Sequence, residues 1–292
     1  MGFDYAVMEA VQSLYHLGGA FMDFIFTFFT FLGEETFLLI AIFAVYWCIN
    51  KHFGELLLLS LYSSIGINGV LKDFVRRPRP FLTQGFEKMR YVVIDNGLVN
   101  TAHLGESFSF PSGHSQCAGA FFGAIAFWKR STKTTLFCIF VILAVMASRV
   151  YLGVHFPTDV LMGAVIGIVM AAVSSYLFRR FYAYKLWLFA GAVLLSCLGL
   201  LAEPTASTIK TIGVGIGAFI GLIWESRFHF TVEGSTGRRL LRLVIGVAIL
   251  AVLRGGLKIL LPQALFFDGL RYAIVGFFAT GVWPWAFTRY KL

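Results

Sequence analysis

Ten long apolar segments constrain the fold of this chain more than any other feature. An α-helix needs about 20 apolar residues to cross ~30 Å of hydrocarbon, and most of these segments reach or approach that length. Only 13% of the residues are charged, whereas about a quarter are charged in an ordinary soluble domain. We therefore predict an all-α, polytopic membrane helix bundle whose short first segment is a candidate for a re-entrant loop. The segments lie at roughly residues 19–32, 35–49, 54–75, 114–129, 134–152, 157–178, 186–202, 209–225, 240–260 and 271–288.

The segments divide the chain into three predicted parts. Residues 1–18 are expected to form a short interfacial helix, and residues 19–180 a core of six spans. Residues 181–292 add four further spans, for which a scaffold, a wall for lipid access and a homo-oligomer contact all remain open as roles. The stretch GVGIGAFIG (213–221) lies inside one of these spans without a preceding strand. It therefore indicates close helix packing, and not a phosphate-binding loop.

The distribution of positive charge predicts the orientation of the chain in the membrane. The positive-inside rule places the more basic segment ends, and with them both termini, in the cytoplasm of a bacterial cell. The net charge of +9 is then explained by loops that face anionic lipid, and no basic stripe with interleaved aromatic residues points to nucleic acid. Thirteen of the 24 Lys and Arg residues lie at those ends: Lys51, Lys129, Arg130, Lys133, Arg179, Arg180, Lys185, Arg227, Arg238, Arg239, Arg242, Arg289 and Lys291.

Two polar clusters lie at span ends on the opposite, less basic side. The sequence KDFVRRPRP (72–80) ends the third span, and a cationic cluster on the side that the positive-inside rule disfavours suggests an anionic ligand. The sequence PSGH (111–114) precedes the fourth span. If a helix begins near Ser112, its first amide groups have no helical acceptor, and Gly113 lets an oxyanion approach the backbone closely. Both clusters therefore predict parts of a phosphate site.

A third cluster, SRVYLGVHFPTD (148–159), joins the fifth span to the sixth on the same side. His155 and Asp159 are four residues apart, so on a helix they share one face. Asp159 is then expected to accept the Nδ1–H of His155, which leaves Nε2 as a nucleophile. Together the clusters supply cations, a helix N-terminus and two histidines, which is the set of groups that phosphoryl transfer requires.

The three clusters, at these spacings and in this order, resemble the signature of the type 2 phosphatidic acid phosphatase superfamily. That superfamily includes membrane lipid phosphate phosphatases, glucose-6-phosphatase and soluble vanadium haloperoxidases. The resemblance implies that His155 attacks phosphorus, that Asp159 orients it, and that His114 protonates the leaving group. It also implies that no metal or other cofactor is needed. The residues that it assigns to the phosphoryl oxygens are Lys72, Arg79, Ser112, Gly113, Ser148 and Arg149.

The signature recognises phosphate, so it leaves the substrate open. A polyprenyl pyrophosphate, phosphatidic acid or phosphatidylglycerol phosphate, and a sphingoid-base phosphate are all candidates, each bound from the bilayer at the extracytoplasmic face. An alternative function is a lipid transporter or scramblase with a site for phosphate headgroups, which the extra spans and the charges of Arg254 and Lys258 motivate. A vanadate-dependent haloperoxidase is a third alternative, which embedding in a membrane disfavours.

The proposed chemistry predicts a bell-shaped dependence of rate on pH near neutrality. His155 must be neutral to attack, whereas His114 must be protonated to donate. From the sequence we expect Asp159 to raise the pKa of His155. Asp73, Arg76 and Arg77 lie between signature positions and receive no role from the resemblance.

Overall fold

The computed structural model describes residues 2–83, 107–202 and 205–292, and the described chain is helical throughout, without a strand. The prediction of an all-α membrane bundle is confirmed. Short 3₁₀ turns and one π-helical segment, Phe278–Val282, separate some of the helices. The α-helices are α1 Gly2–Gln12, α2 Tyr15–Gly18, α3 Ala20–Phe31, α4 Glu35–Cys48, α5 Lys51–Val75, α6 Gly113–Lys129, α7 Thr132–Tyr151, α8 Pro157–Arg180, α9 Lys185–Cys197, α10 Ala206–Glu225, α11 Thr236–Leu260, α12 Leu265–Phe277 and α13 Trp283–Arg289.

The first two apolar segments form one bent unit. Seven helical stretches among the described residues are long and apolar enough to cross a membrane, and α3 with α4 passes the same test as a pair, with a bend of 51° between them. The bend falls at Gly33, where a Cβ would lie 2.7 Å from Val145 Cγ1 on α7. We therefore replace the expectation of two separate spans, 19–32 and 35–49, with one bent unit, which is either a broken span or a re-entrant loop.

This change also corrects the predicted side of the N-terminus. Asp4 on α1 pairs with Arg77 at 2.9 Å and accepts a hydrogen bond from the amide of Thr158 at 3.1 Å. Arg77 follows α5 and Thr158 begins α8, so α1 lies on the same side as the three polar clusters. The expectation that both termini lie on the opposite side is wrong for the N-terminus. The first 50 residues contain no Lys or Arg, so the count of positive charges could not detect this.

The chain forms two compact units, Met1–Leu38 with Leu71–Val173 and Leu39–Val70 with Ser174–Leu292. The division that the sequence suggested, at residue 180, stays a prediction. In the second unit, two fully buried carboxylates are paired with lysines: Glu55 with Lys185 at 2.5 Å, and Glu225 with Lys51. Buried carboxylates are tolerated only when they are paired in this way.

Glycines permit close helix contacts in both units, as the sequence predicts. A Cβ on Gly167 of α8 would meet the backbone oxygen of Gln116 on α6, and a Cβ on Gly163 would lie 2.6 Å from the backbone oxygen of Ser112. In the second unit, a Cβ on Gly213 or Gly217 would meet backbone atoms of α12. The stretch 213–221 is therefore a helix-packing surface. In the first unit, the same kind of contact fixes where α6 begins relative to α8.

We expect Gly167→Ala to lower the thermal stability of the protein in detergent, because the new methyl group must displace the backbone of α6. Overpacking of this kind costs about 1–3 kcal/mol. Gly191→Ala is the matched control, since nothing lies within 4 Å of a Cβ at that position; it should leave the melting temperature unchanged or raise it slightly. Equal melting temperatures for the two variants would show that α6 and α8 are not tightly packed.

Candidate active site

The first compact unit brings the three clusters together around His155. The polar residues come from the last turn of α5, the start of α6, the last turn of α7, and the connection 152–156 with the first turn of α8. Gly153, with φ 71°, allows the sharp turn in that connection. His155 is 2% exposed. The charges that act on it include four predicted site residues: Arg79, Arg149, Lys72 and His114.

Arg79 fixes one side of the His155 ring. Its Nη1 lies 3.3 Å from His155 Nε2 and donates to the backbone oxygen of Val154 at 3.1 Å. Its Nε and Nη2 donate to the backbone oxygen and the hydroxyl of Ser107 at 2.9 and 2.5 Å. A guanidinium can only donate, so a short contact with Nε2 requires an unprotonated Nε2. This geometry leaves the lone pair of Nε2 on the side where the cations gather.

Ser109 stands between His155 and Asp159. The carboxylate Oδ2 of Asp159 lies 3.7 Å from His155 Nδ1, which is too long for a hydrogen bond. The hydroxyl of Ser109 donates to Asp159 Oδ2 at 2.5 Å and lies 3.3 Å from His155 Nδ1. The expectation of a direct bond from His155 to Asp159 is therefore wrong, and Ser109 relays the contact. The relay has the same effect on the tautomer, because it places the ring proton on Nδ1.

The carboxylate of Asp159 is fully buried and is held by several donors. Arg77 Nη1 donates to Oδ1 at 2.7 Å, and the amide of Phe156 donates to Oδ2 at 2.9 Å, in addition to Ser109. The side chain of Asp159 has 0% exposure. The guanidinium and the two further donors offset part of the cost of burying this charge. Asp159 can therefore hold the relay in one orientation.

Arg77 also connects Asp159 to the N-terminal helix. Its Nη2 donates to Asp4 Oδ2 at 2.9 Å, and its guanidinium lies 4.1 Å from the ring centre of Phe156. The backbone amide and hydroxyl of Thr158 donate to the same Asp4 carboxylate. Burial raises the pKa of Asp4, but the bonds from Arg77 and Thr158 outweigh burial and hold its pKa below the ordinary value. Helix α1 is thus bonded directly to the segment that carries His155.

The start of α6 agrees only partly with the sequence analysis. Ser112 is the N-cap of α6, as predicted. Its amide, however, donates to the backbone oxygen of Asp159 at 3.0 Å, so this amide is not available to an anion. The first-turn amides of Gly113 and His114 have no acceptor within the helix, because an α-helix always leaves these groups unsatisfied. The amides of Gly113 and His114 are therefore the first-turn donors of α6 that an anion could use.

Arg149 is buried at the end of α7, with 2% exposure. Its Nη1 donates to the hydroxyl of Thr30 on α3 at 3.2 Å, and its Nε has no hydrogen-bond partner among the described residues. Ser148 donates to the backbone oxygen of Val145 at 2.7 Å and lies 2.8 Å from the Thr30 hydroxyl. In this arrangement Ser148 supports Thr30 and thereby Arg149. A buried guanidinium with an unpaired N–H suits an anionic ligand.

The second histidine also has a carboxylate partner. His114 Nε2 lies 3.1 Å from Glu34 Oε2, at the bend between α3 and α4. The side chains of His114 and Glu34 are 24% and 42% exposed. Each histidine of the site is therefore linked to an acid, directly in one case and through Ser109 in the other.

The surroundings of His155 depress its pKa. Burial lowers the pKa of His155 well below the ordinary value of 6.5, and the positive charges of Arg79, Arg149, Lys72 and His114 lower it further. The expectation that Asp159 raises this pKa is therefore wrong, because burial and the cations lower it. The imidazole is therefore neutral at neutral pH, in the state that can act as a nucleophile.

Two family profiles match this sequence, one in each of two separate stretches. The profile of the PAP2 superfamily matches residues 54–183, and that of the PAP2 superfamily phosphatase transmembrane extension matches residues 209–292. Phosphatidylglycerophosphatase B of Bacillus subtilis is 33% identical over 159 residues, which are 50% of this chain and 70% of that protein. A probable sphingosine-1-phosphate phosphatase of Dictyostelium discoideum is 29% identical over 171 residues, 55% of this chain but only 40% of that longer protein.

One solved structure is also similar to this chain. It is the crystal structure of a transmembrane PAP2-type phosphatidylglycerolphosphate phosphatase from Bacillus subtilis, with 27% sequence identity and a TM-score of 0.48. The similarity covers 62% of this chain and 89% of that one.

We expect Arg77→Ala to destabilise the protein by about 3–5 kcal/mol, because it leaves the buried carboxylates of Asp4 and Asp159 without their cation. Asp4→Ala should cost less, since Arg77 then keeps Asp159. The double variant should cost less than the sum of the two single variants, because they share one interaction. Thermal unfolding of the three proteins tests this, with the exposed Lys133→Ala as the control. Strictly additive losses would contradict a coupled network.

Proposed function

Since this chain belongs to the PAP2 superfamily, we propose that it hydrolyses a lipid phosphate through a phosphohistidine intermediate on His155. The chain is an integral membrane protein of the PAP2 lipid phosphatase family. The observation that carries the proposal is the state of His155. Its Nδ1 faces the Ser109–Asp159 relay, and its Nε2 faces Arg79 without a proton.

In the first chemical step, the lone pair of His155 Nε2 forms a bond to phosphorus as the bond from phosphorus to the leaving oxygen breaks. His114 gives its proton to that oxygen, and the lipid alcohol leaves. The positive charge that develops on His155 is stabilised through its Nδ1–H by Ser109 and the carboxylate of Asp159. In the second step, water attacks phosphorus and gives its proton to His114 as the nitrogen–phosphorus bond breaks, which releases phosphate and neutral His155.

The cations supply the electrostatic stabilisation. Lys72, Arg79 and Arg149 act on His155 with their positive charge, and the amides of Gly113 and His114 add donors at the start of α6. Phosphoryl transfer spreads negative charge over three equatorial oxygens, so fixed positive groups in a site of low dielectric account for most of the rate enhancement. Together with burial, the same cations favour the neutral form of His155 before the substrate binds.

The proposed substrate is a phosphate ester of a membrane lipid. The curated relatives are a phosphatidylglycerophosphatase and a probable sphingosine-1-phosphate phosphatase, which supports monoesters of glycerolipids or sphingoid bases, beside the polyprenyl pyrophosphates that the signature also admits. We further propose that the site faces the extracytoplasmic side of a bacterial plasma membrane. The thirteen basic residues at the opposite span ends support this orientation.

Phosphate release from a panel of lipid monophosphates and pyrophosphates in detergent tests this function. We expect release to persist in EDTA, to vanish in His155→Ala, and to fall about tenfold to a hundredfold in Ser109→Ala, in which the relay to Asp159 is broken. Correctly folded protein that releases phosphate from none of the lipids would contradict the proposal and would favour a lipid transporter. Full activity of His155→Ala would contradict the assigned nucleophile.

The pH dependence of kcat/KM tests the state of His155 in the free enzyme. Because the pKa of His155 lies well below 6.5, the nucleophile stays neutral as the pH falls through 6.5. The acidic limb of the profile should therefore lie below pH 6.5. An acidic limb centred at or above pH 6.5 would show that the cations do not depress this group.

A further inference from the structure

Glu34, which contacts His114, lies outside the three sequence clusters. Glu34 follows Gly33 at the bend between α3 and α4, far in sequence from His114, yet its Oε2 lies 3.1 Å from His114 Nε2. It is the single carboxylate paired with this histidine among the described residues. A carboxylate beside a cationic phosphate site competes with the substrate for positive charge, so its presence there needs a reason.

A purely local role does not account for the contact. The amide of Thr36 donates to Glu34, so Glu34 helps to begin α4. Ser, Thr, Asp or Asn would cap a helix at least as well without placing a charge on the histidine. The contact with the ring itself therefore points to a role that acts through His114.

We propose that Glu34 is a positioning residue that holds His114 as the general acid and selects for leaving groups without negative charge. When one N–H of the His114 imidazolium donates to Glu34, its second N–H is available to donate to the leaving oxygen. This inference rests on the proposed function, and it identifies the preferred substrates as lipid phosphate monoesters, in preference to pyrophosphates.

Two physical effects favour monoesters. An alkyl alcohol is a poor leaving group and needs a proton from the enzyme, whereas the leaving phosphate of a pyrophosphate needs it far less. In addition, the leaving oxygen must lie within about 3 Å of the imidazole, which brings a departing phosphate within about 6–8 Å of the Glu34 carboxylate. Like charges at this distance repel appreciably in a partly buried site. The leaving group of a sphingoid-base phosphate carries an ammonium instead, which this carboxylate attracts.

Glu34→Gln tests the proposal with two substrates, phosphatidic acid and a polyprenyl pyrophosphate, assayed in detergent. We expect kcat/KM for phosphatidic acid to fall about tenfold to a hundredfold and kcat/KM for the pyrophosphate to fall much less. The ratio of pyrophosphate to monoester activity should therefore rise about tenfold. Glu34→Asp keeps the charge and should keep the wild-type ratio. Glu9→Gln, which changes an exposed acid on α1, should match the wild type in both assays.

The outcomes separate this inference from the function on which it rests. Equal losses on both substrates, or no loss on either, would overturn the role of Glu34 while the wild-type enzyme still confirmed a phosphatase. A wild-type protein inactive on both substrates would overturn the function and the inference together. If Glu34→Gln does not fold, Glu34→Ser, which can cap α4, should show the same change of ratio in folded protein.

Discussion

The buried carboxylate of Asp159 is the interaction on which the rest of the site depends. A charge removed from water is stable only if donors surround it. Here Arg77, Ser109 and the amide of Phe156 supply those donors, while the backbone oxygen of Asp159 accepts the amide of Ser112. These bonds join the segment after α5, the start of α6 and the start of α8. The bonds that stabilise the buried carboxylate of Asp159 therefore also hold together the segments around His155.

The charged groups near His155 fall into two sets. In the first set, Arg77 pairs with the carboxylates of both Asp159 and Asp4. In the second set, Lys72, Arg79 and Arg149 act on His155 with their positive charge, and Arg149 keeps a buried Nε without a partner in the described chain. In the proposed function, the first set holds His155 in place and the second set binds the substrate phosphate.

Glycine and proline positions explain why the backbone can form this site. Gly153 permits the turn before His155, and Pro157 begins α8 immediately after it, so Asp159 falls in the first turn. Gly163 and Gly167 let α8 approach α6 until the amide of Ser112 reaches the backbone oxygen of Asp159. Larger residues at these positions would separate α6, which carries His114, from α8, which carries Asp159.

Much of this arrangement could be predicted from the sequence, because hydropathy and short motifs are local signals. Seven of the ten predicted spans, the N-cap at Ser112 and the gathering of the three clusters follow from them. The partners Asp4 and Glu34 could not be predicted, because they are distant in sequence from the groups that they contact. Ser109 lies just before the second cluster, and Arg77 lies within the first. Their roles depend on a distance of 3.7 Å between His155 and Asp159, which helical spacing alone does not reveal.

The sequence does not predict the bend between α3 and α4, for a related reason. Two apolar segments separated by Gly33 and Glu34 satisfy the length requirement of two short spans about as well as that of one broken span. Only the contacts of Asp4 and Thr30 with the site show on which side the chain begins. Residues 1–50 lack Lys and Arg, so positive charge carries no information about that part of the chain.

The central claim is that His155 becomes covalently phosphorylated during turnover. The direct measurement is to denature the protein rapidly at alkaline pH, which preserves phosphohistidine, while it turns over a lipid phosphate labelled on phosphorus. Peptide mass spectrometry then locates the label. We expect the label on His155 and no label in His155→Ala. In His114→Ala, hydrolysis of the phosphoenzyme is slowed, so phosphohistidine should accumulate with a substrate whose leaving group needs no proton. Rapid phosphate release with no label on His155 under any of these conditions would contradict it.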